Sequence, residues 1–303
     1  MTIRFWCFDC FSGLAHNDSW GREVAQAAIL RGHKATMFRN QGEVGGAGYW
    51  FARRRQFPPL YEADERHLGS LWANRQYLHF VQDRQQWLCY EDKIRQYRLF
   101  SEWMPRTWYC PSAEAAYRAL DQCWFPLVSK ASVGSSSVNV RILADAEAAQ
   151  QEIDLAFSGG LPMRHGAQDA RQTGYLLWQQ FIPHQVTWRV TAVGTKRHAY
   201  RRFCYPDKAV AAPAAVVATE PAAMSDEVES LLDFSNRFFE FAGTQWCAID
   251  VLKADPGWRL LETSLAWARG GDSAGNASFY GTEYSLNTQA QLLVSEIEQG
   301  AFG

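Results

Sequence analysis

Two periods of hydrophobic residues run along this chain, one of two residues and one near 3.6, and they mark out its elements. Ile3 to Phe8 is an apolar run that reads as a strand. Trp20 to Arg31 follows with Val24, Ala27, Ala28 and Leu30 at helical spacing, behind the capping candidates Asn17 to Ser19, and Gly32 ends it. Lys34 to Phe38 is a second strand, so the chain opens as a β-α-β unit, the start of an open parallel sheet. Gly42 to Gly48 lacks a Gly-x-Gly-x-x-Gly pattern and reads as a loop, one that faces a ligand. Residues 57 to 90 show no clear period beyond one or two short helices ending near Tyr90.

The second part is better patterned. Asp92 to Trp103 is an amphipathic helix with Lys93 at its start and Ile94, Tyr97, Arg98 and Phe100 on one stripe; Met104-Pro105 breaks it. A short strand at Thr107 to Tyr109, a helix from Ser112 to Leu120, and the strand bearing Lys130 follow. Ala144 to Phe157 is helical, with Glu147, Glu152 and Asp154 expected on a wet face. Gly159 to Gln172 reads as a mobile loop. Strands then follow at Tyr175 to Ile182, Val186 to Val193 and Arg197 to Cys204. Pro206 to Pro221 reads as an irregular insertion. Ser225 caps a helix with Val228, Leu231, Leu232, Phe238 and Phe239 as its stripe and Gly243 past its end. Cys247 to Lys253 and Arg259 to Thr263 form a hairpin, and Thr282 to Glu298 a closing helix.

At 303 residues, with 47% hydrophobic and 20% charged residues, the chain is globular and long enough for two or three packed subdomains. Thirteen Trp imply either heavy core packing or stacking surfaces for a substrate. A net charge of -2 gives no overall pull toward nucleic acid or anionic lipid, and Arg53-Arg54-Arg55 reads as a solvated face. No apolar run approaches the roughly 18 residues of a membrane span, and the expectation is a cytoplasmic protein. The seven cysteines are scattered; Cys7 and Cys10 have no second pair to complete a zinc site, and buried free thiols are expected.

The chemistry is carried by charges placed on strands. Pro126 to Lys130 and Val138 to Leu143 are two short strands joined by Gly134-Ser135-Ser136-Ser137, whose unhindered N–H and hydroxyl donors beside Lys130 suit phosphate oxygens. No Gly-Lys-Ser/Thr ending follows, so this is not a Walker A loop. An exposed hairpin with a solvated lysine fits the same residues. Asp250 lies in one strand of the last hairpin and Glu262 in the other, both flanked by apolar residues, where two acids approach within the span of one or two hard cations. Strand alternation also allows both to face solvent. Arg189, and Arg201 with Arg202, are placed to neutralise a triphosphate beside the same acids.

In this order the features resemble the ATP-grasp superfamily, in particular its carboxylate-amine ligases such as D-alanine:D-alanine ligase, glutathione synthetase and the ribosomal-protein glutamate ligases. The resemblance covers roughly Asp92 to the C-terminus. Asp92-Lys93, the Pro126-to-Lys130 strand, the Gly134-to-Ser137 lid, Trp178-Gln-Gln180-Phe181-Ile182, Trp188-Arg189, Arg201 or Arg202, and Asp250 with Glu262 carry it.

The resemblance implies an α/β (α+β) chain with the ATP-grasp fold behind an N-terminal β-α-β open-sheet domain, divided as 1–90, 91–178 and 179–303. It implies ATP and Mg²⁺ as cofactors. Lys93, Lys130, Gly134, Ser135, Ser136 and Ser137 would hold phosphates, and Gln180, Phe181 and Ile182 the adenine edge. Asp250, Glu262 and Ser264 would hold the metal, with Arg189 and Arg202 on the transferred group. The implied reaction joins a small-molecule carboxylate and an amine through an acyl phosphate, releasing ADP and phosphate. A peptide or protein substrate, and a homodimer, stay open. Arg269-Gly270-Gly271-Asp272-Ser273-Ala274-Gly275-Asn276 would sit at the acyl-phosphate or amine pocket, although plain turns share that composition.

Two departures stand out. Ser264 replaces the Asn of the family's Glu-x-Asn, and Thr187 falls where many relatives carry an acid for the ribose hydroxyls. They keep open a degenerate ATP-binding protein without turnover, and an ATP-dependent phosphotransferase acting on a hydroxyl is a further alternative.

Overall fold

The computed structural model describes residues 2–8, 20–38, 47–51, 61–73, 78–133, 139–163, 171–204, 216–221, 223–265 and 286–302. β1 (Arg4–Phe8), α1 (Trp20–Leu30) and β2 (Lys34–Phe38) form the expected β-α-β opening. α1 buries Val24, Ala27 and Ala28 as its spacing predicts, but Leu30 is exposed at the helix end.

Two further strands, β3 (Gly48–Phe51) and β4 (Leu78–Phe80), flank α2 (Tyr61–Ala73) and extend the parallel sheet to the order β2-β1-β3-β4. The sequence reading missed both, because strands of four and three residues carry no period. Their existence depends on pairing with β1 and with each other. Gly48 marks the first of them: its φ is +153°, and a Cβ there would lie 2.6 Å from the Arg4 carbonyl oxygen.

α3 (Arg84–Cys89) and α4 (Lys93–Phe100) lead through a 3-10 turn at Ser101–Trp103 to a second, antiparallel sheet. Its elements are β5 (Thr107–Cys110), α5 (Ala113–Leu120), β6 (Leu127–Lys130), β7 (Val140–Leu143), α6 (Ala146–Phe157), a two-residue pair β8 (Leu161–Pro162) and β9 (Arg171–Gln172), and β10 (Leu176–Gln180). The sheet order is β5-β10-β6-β7. Leu127, Leu176 and Trp178 pack with Ala116 and Ile153 of the two helices, so by alternation Val128, Lys130 and Gln179 face the other way.

Glu152 departs from its expected wet face. It is buried, and its carboxylate accepts hydrogen bonds from Trp178 Nε1 (2.8 Å) and Arg141 Nε (2.8 Å). Glu152→Ala leaves the indole N–H without its acceptor and is expected to cost about 2–3 kcal/mol, read as a lower urea midpoint. An unchanged midpoint would show the pair to be dispensable.

The third sheet has the order β13-β12-β11-β14-β15 and is built from β11 (Val186–Val193), β12 (Lys196–Cys204), β13 (Val216–Pro221), β14 (Trp246–Lys253) and β15 (Trp258–Ser264). β13 falls inside the stretch read as irregular; as an edge strand it tolerates the Pro221 that argued against it. α7 (Asp226–Ala242) is capped by Ser225 and ended by Gly243 in the left-handed region (φ 63°), as expected. It covers the face carrying Trp188, Val190, Ile249, Val251 and Leu260. The opposite face is apolar at Trp246 and Ala248, where it joins the core of the first sheet, and polar further along.

α8 (Leu286–Glu298) buries Ala290, Leu293, Val294 and Ile297 in that same first core, beside α1. Trp20 and Phe51 meet Trp246 edge-on at 5.1 and 5.2 Å. Among the described residues eight tryptophans are buried, which answers the aromatic load as core packing. Among the described residues Cys7, Cys89, Cys110 and Cys247 are buried free thiols, and no helix is long and apolar enough to cross a membrane. Cys10, Arg53 to Arg55 and the capping candidates Asn17 to Ser19 lie outside the described residues.

Candidate functional site

The polar faces of the second and third sheets meet across a cleft of about 670 Å³, part of it open to solvent. Lys93, Lys130, Asp250 and Glu262, with the neutral amide of Gln179, line its polar part. Val128, Leu252, Leu261, Phe181 and Ile182 line its apolar part, with Gln180, His184 and Thr187 beside them.

Strand register sets the acids. Asp250 pairs directly with Glu262, so both side chains leave the same face, and a bulge follows, after which Val251 pairs with Leu260. Arg189 pairs with Asp250 from the other side. Arg189 donates through Nε to Asp250 Oδ1 and through Nη2 to Oδ2 (2.6 Å), and Arg202 Nη1 reaches the same Oδ2 at 2.7 Å. Burial by itself would raise the Asp250 carboxyl; the two guanidinium groups overcome it and hold the group well below the usual carboxylate range. Of the two arginines the sequence left open, Arg202 makes this contact. Arg201 lies over the rings of Trp188 and Phe203.

Glu262 behaves oppositely. Burial and the Asp250 charge raise its carboxyl, against the pull of Lys93, whose Nζ lies 3.9 Å away. Its side chain is still 35% exposed to the cleft. Ser264 is two residues on and is not among the residues lining the cleft.

Lys93 is held by the first turn of α4. Asp92 caps that turn by accepting from Arg95 N–H, its Oδ1 also accepts from Ser132 Oγ (2.9 Å), and Lys93 N–H donates to the Ser132 carbonyl (2.9 Å). The helix start is thereby tied to the end of β6. Its buried face is Lys93, Gln96 and Phe100; of the predicted stripe only Phe100 is fully buried, because Gln96 grips the third sheet. The Gln96 amide donates to the Thr263 carbonyl (3.1 Å) and accepts from Thr263 N–H (3.0 Å), next to Glu262.

Sequence reasoning missed Gln96, Gln179 and His184. Lys130 Nζ donates to Gln179 Oε1 (2.7 Å), and Gln179 Nε2 donates to Thr107 Oγ1 (3.0 Å), which fixes the lysine head. His184 Nδ1 lies 2.6 Å from the Ile182 carbonyl; a carbonyl only accepts, so Nδ1 carries the proton. The one signal was position, Gln179 inside the linker stretch and His184 just after it. Thr187 is buried, lines the cleft, and its Oγ1 has no hydrogen-bond partner among the described residues. Gly134, Ser135, Ser136 and Ser137, and the Arg269-to-Asn276 segment, lie outside the described residues.

Burial lowers Lys130 to about 8 from an ordinary 10.5, with Glu262 opposing. The folded protein therefore releases this proton before the unfolded chain does. Stability should rise with pH between about 8 and 10.5, and Lys130→Met should lack that rise. Urea melts of both proteins across this range test it; parallel curves would refute the depressed value.

No protein-family model matches the sequence, and no curated protein matches it. Solved structures do. A RimK domain ATP-grasp protein from Sphaerobacter thermophilus DSM 20745 superposes with a TM-score of 0.59 at 17% identity, covering 97% of this chain and 99% of that one. D-alanine--D-alanine ligase from Bacillus anthracis, complexed with ATP, gives 0.64 at 11% identity over 99% of this chain and 98% of its own. The macrocyclase MdnC from Microcystis aeruginosa MRC, bound with precursor peptide MdnA, gives 0.60 at 13% identity over 97% and 99%. This chain has the ATP-grasp fold. In ATP-grasp terms the cleft lies between the two antiparallel sheets, with the parallel sheet preceding them.

Proposed function

We propose that this ATP-grasp protein is an ATP-dependent carboxylate-amine ligase that forms an amide bond, with release of ADP and phosphate. The observation that carries the proposal is convergence. Lys93, Lys130, Asp250 and Glu262 come from a helix start and three strands, and all line one cleft whose other part is apolar.

The residues present fit Mg²⁺ and a nucleotide. Two acids paired across β14 and β15 form a hard oxygen donor set, Lys93 and Lys130 supply positive charge, and the Thr187 hydroxyl awaits a partner. Bound Mg²⁺ would neutralise charge on the phosphates. Asp250 and Glu262 are the proposed holders of the metal, with Ser264 a more distant candidate. Lys93 and Lys130 hold phosphate oxygens, assisted by the Gly134-to-Ser137 lid; Arg189 and Arg202 are poised behind Asp250 to meet developing charge. The linker Gln180, Phe181 and Ile182 takes the adenine edge.

A substrate carboxylate oxygen attacks the γ-phosphoryl, the bond to ADP breaks, and an amine then displaces phosphate from the acyl carbon. Such transfers depend chiefly on positioning and charge neutralisation. The likeness to a macrocyclase solved with its precursor peptide supports a peptide as one class of substrate.

Thr187→Val removes a buried hydroxyl that has no partner among the described residues, at nearly constant volume. It should leave stability unchanged or higher, yet weaken ATP about tenfold while 2′-deoxy-ATP changes less. Equal losses for both nucleotides would take Thr187 away from the sugar.

The test of the function is nucleotide turnover with Mg²⁺ and a small-metabolite extract, resolved for ADP and AMP, with masses of the products. Extract-dependent ADP with a new amide supports the ligase, and a phosphorylated product points to a phosphotransferase. AMP overturns γ-phosphoryl transfer, and ATP bound without turnover favours the degenerate nucleotide-binding alternative.

A further inference from the structure

A second cleft, of about 950 Å³ counting space open to solvent, lies where the first sheet, α7 and the start of β14 meet. Asp83, Arg197, Asn236, Phe239, Thr244 and Gln245 contribute to it, with Phe80 and Phe302 as further apolar walls. Gln245 precedes Asp250 by five residues on an extended strand, which separates the two clefts by roughly 17 Å. Phe80 and Asp83 sit at and just beyond the carboxyl end of β4, the side of an open parallel sheet where small ligands bind.

Three charged residues line this cleft, Asp83, Arg197 and Glu240, and the first two have no ion-pair partner among the described residues. Arg197 is fixed in place: Nε donates to Asn236 Oδ1 (3.0 Å), Nη1 donates to the Gly194 and Lys196 carbonyls (2.8 Å each), and the guanidinium lies 5.1 Å from the centre of the Phe239 ring. Its Nη2 has no partner among the described residues, and no carboxylate there lies within ion-pair distance. Burial pulls its pKa down, opposed by the charge of Glu296, which is itself engaged with Thr195.

Asp83 is the counterpart. Its Oδ1 caps α3 by accepting from Gln86 N–H (2.8 Å), while Oδ2 is buried with no hydrogen-bond partner among the described residues. The neighbouring Thr244 hydroxyl eases the charge but donates to the Trp246 carbonyl (3.3 Å). Burial pushes the Asp83 carboxyl up to about 6. No cation lies within ion-pair distance of it among the described residues.

A fixed guanidinium with an open Nη2, an acid with no cation partner among the described residues, and aromatic side chains lining the same cleft describe the complement of a zwitterion with an apolar body. We propose that this cleft binds a free α-amino acid with an apolar side chain, its carboxylate on Arg197 and its ammonium group on Asp83. The proposal stands apart from the nucleotide site and is read without nucleotide.

The experiment is calorimetric titration of the full chain with L-phenylalanine and L-leucine. N-acetyl-L-phenylalanine, lacking the ammonium, and L-phenylalaninamide, lacking the carboxylate, should each bind about tenfold weaker or worse. Arg197→Met should lose L-phenylalanine binding, and Asp83→Asn, which keeps the capping oxygen, should weaken it. Lys130→Met, in the first cleft, should bind it normally. Should Arg197→Met fail to fold, the derivative series on the unaltered protein still decides. Absence of binding at millimolar amino acid, indifference to Arg197→Met or to both derivatives, or loss in Lys130→Met would each overturn the proposal.

Discussion

Asp250→Ala lowers the stability of the protein by about 3–5 kcal/mol. Asp250, Arg189 and Arg202 are 6%, 8% and 3% exposed, and one carboxylate serves both guanidinium groups. Removing it takes from two buried cations the anion they share, and losing one member of a buried ionic cluster costs more than the intact cluster returns. The loss appears as a lower urea midpoint with an unchanged slope. The pH dependence follows from the same contact. The folded-state carboxyl lies below its unfolded value of 3.8, so the contribution is present above that pH and fades as the pH falls beneath it. Asp250→Ala should therefore flatten the acid limb of the stability curve. Adding Arg202→Met to Asp250→Ala should recover part of the loss, since one of the two cations that shared the carboxylate goes with it. A single variant as stable as the parent would mean the cluster is solvated and contributes nothing.

Glu262→Gln reduces ATP turnover about a thousandfold, a loss of several kcal/mol of transition-state stabilisation. The side chain is a third exposed to the cleft and lies 3.9 Å from Lys93, so the amide removes charge without opening a cavity. Stability should change little, because the Thr263 backbone beside it stays clamped by Gln96. ADP release in the presence of the metabolite extract measures the first quantity and a thermal melt the second. Retained turnover would remove Glu262 from the metal site, whereas lost turnover with a collapsed melt would make its role structural. The two variants thus separate an acid that also holds the fold from one whose removal should be felt in the cleft alone.

Much of this was legible in the chain. The helix over Asp226–Ala242 showed its stripe, its Ser225 cap and its terminal Gly243, because all three signals are local. The hairpin holding Asp250 and Glu262 stood out since acids flanked by apolar residues on strands are costly without a purpose. Glu152 was misplaced for the complementary reason: on a helix it looked like any exposed acid, and only the arrival of Trp178 from β10 turns it inward. β3 and β4 were missed because parallel strands of three or four residues exist only through their neighbours.

The sequence by itself determined which residue types stand on which strands and helix starts, hence the ATP-grasp resemblance and the candidates Lys93, Lys130, Arg189, Arg201 or Arg202, Asp250 and Glu262. Tertiary structure alone decided that Arg202 rather than Arg201 meets Asp250, that Gln179 holds Lys130 and Gln96 holds β15, and that two sheets turn their polar faces to one cleft. Local propensity acts over a few residues. Register and the facing of sheets are settled by pairings between segments far apart in the chain, and a shift of one residue would turn every one of these side chains to the opposite face.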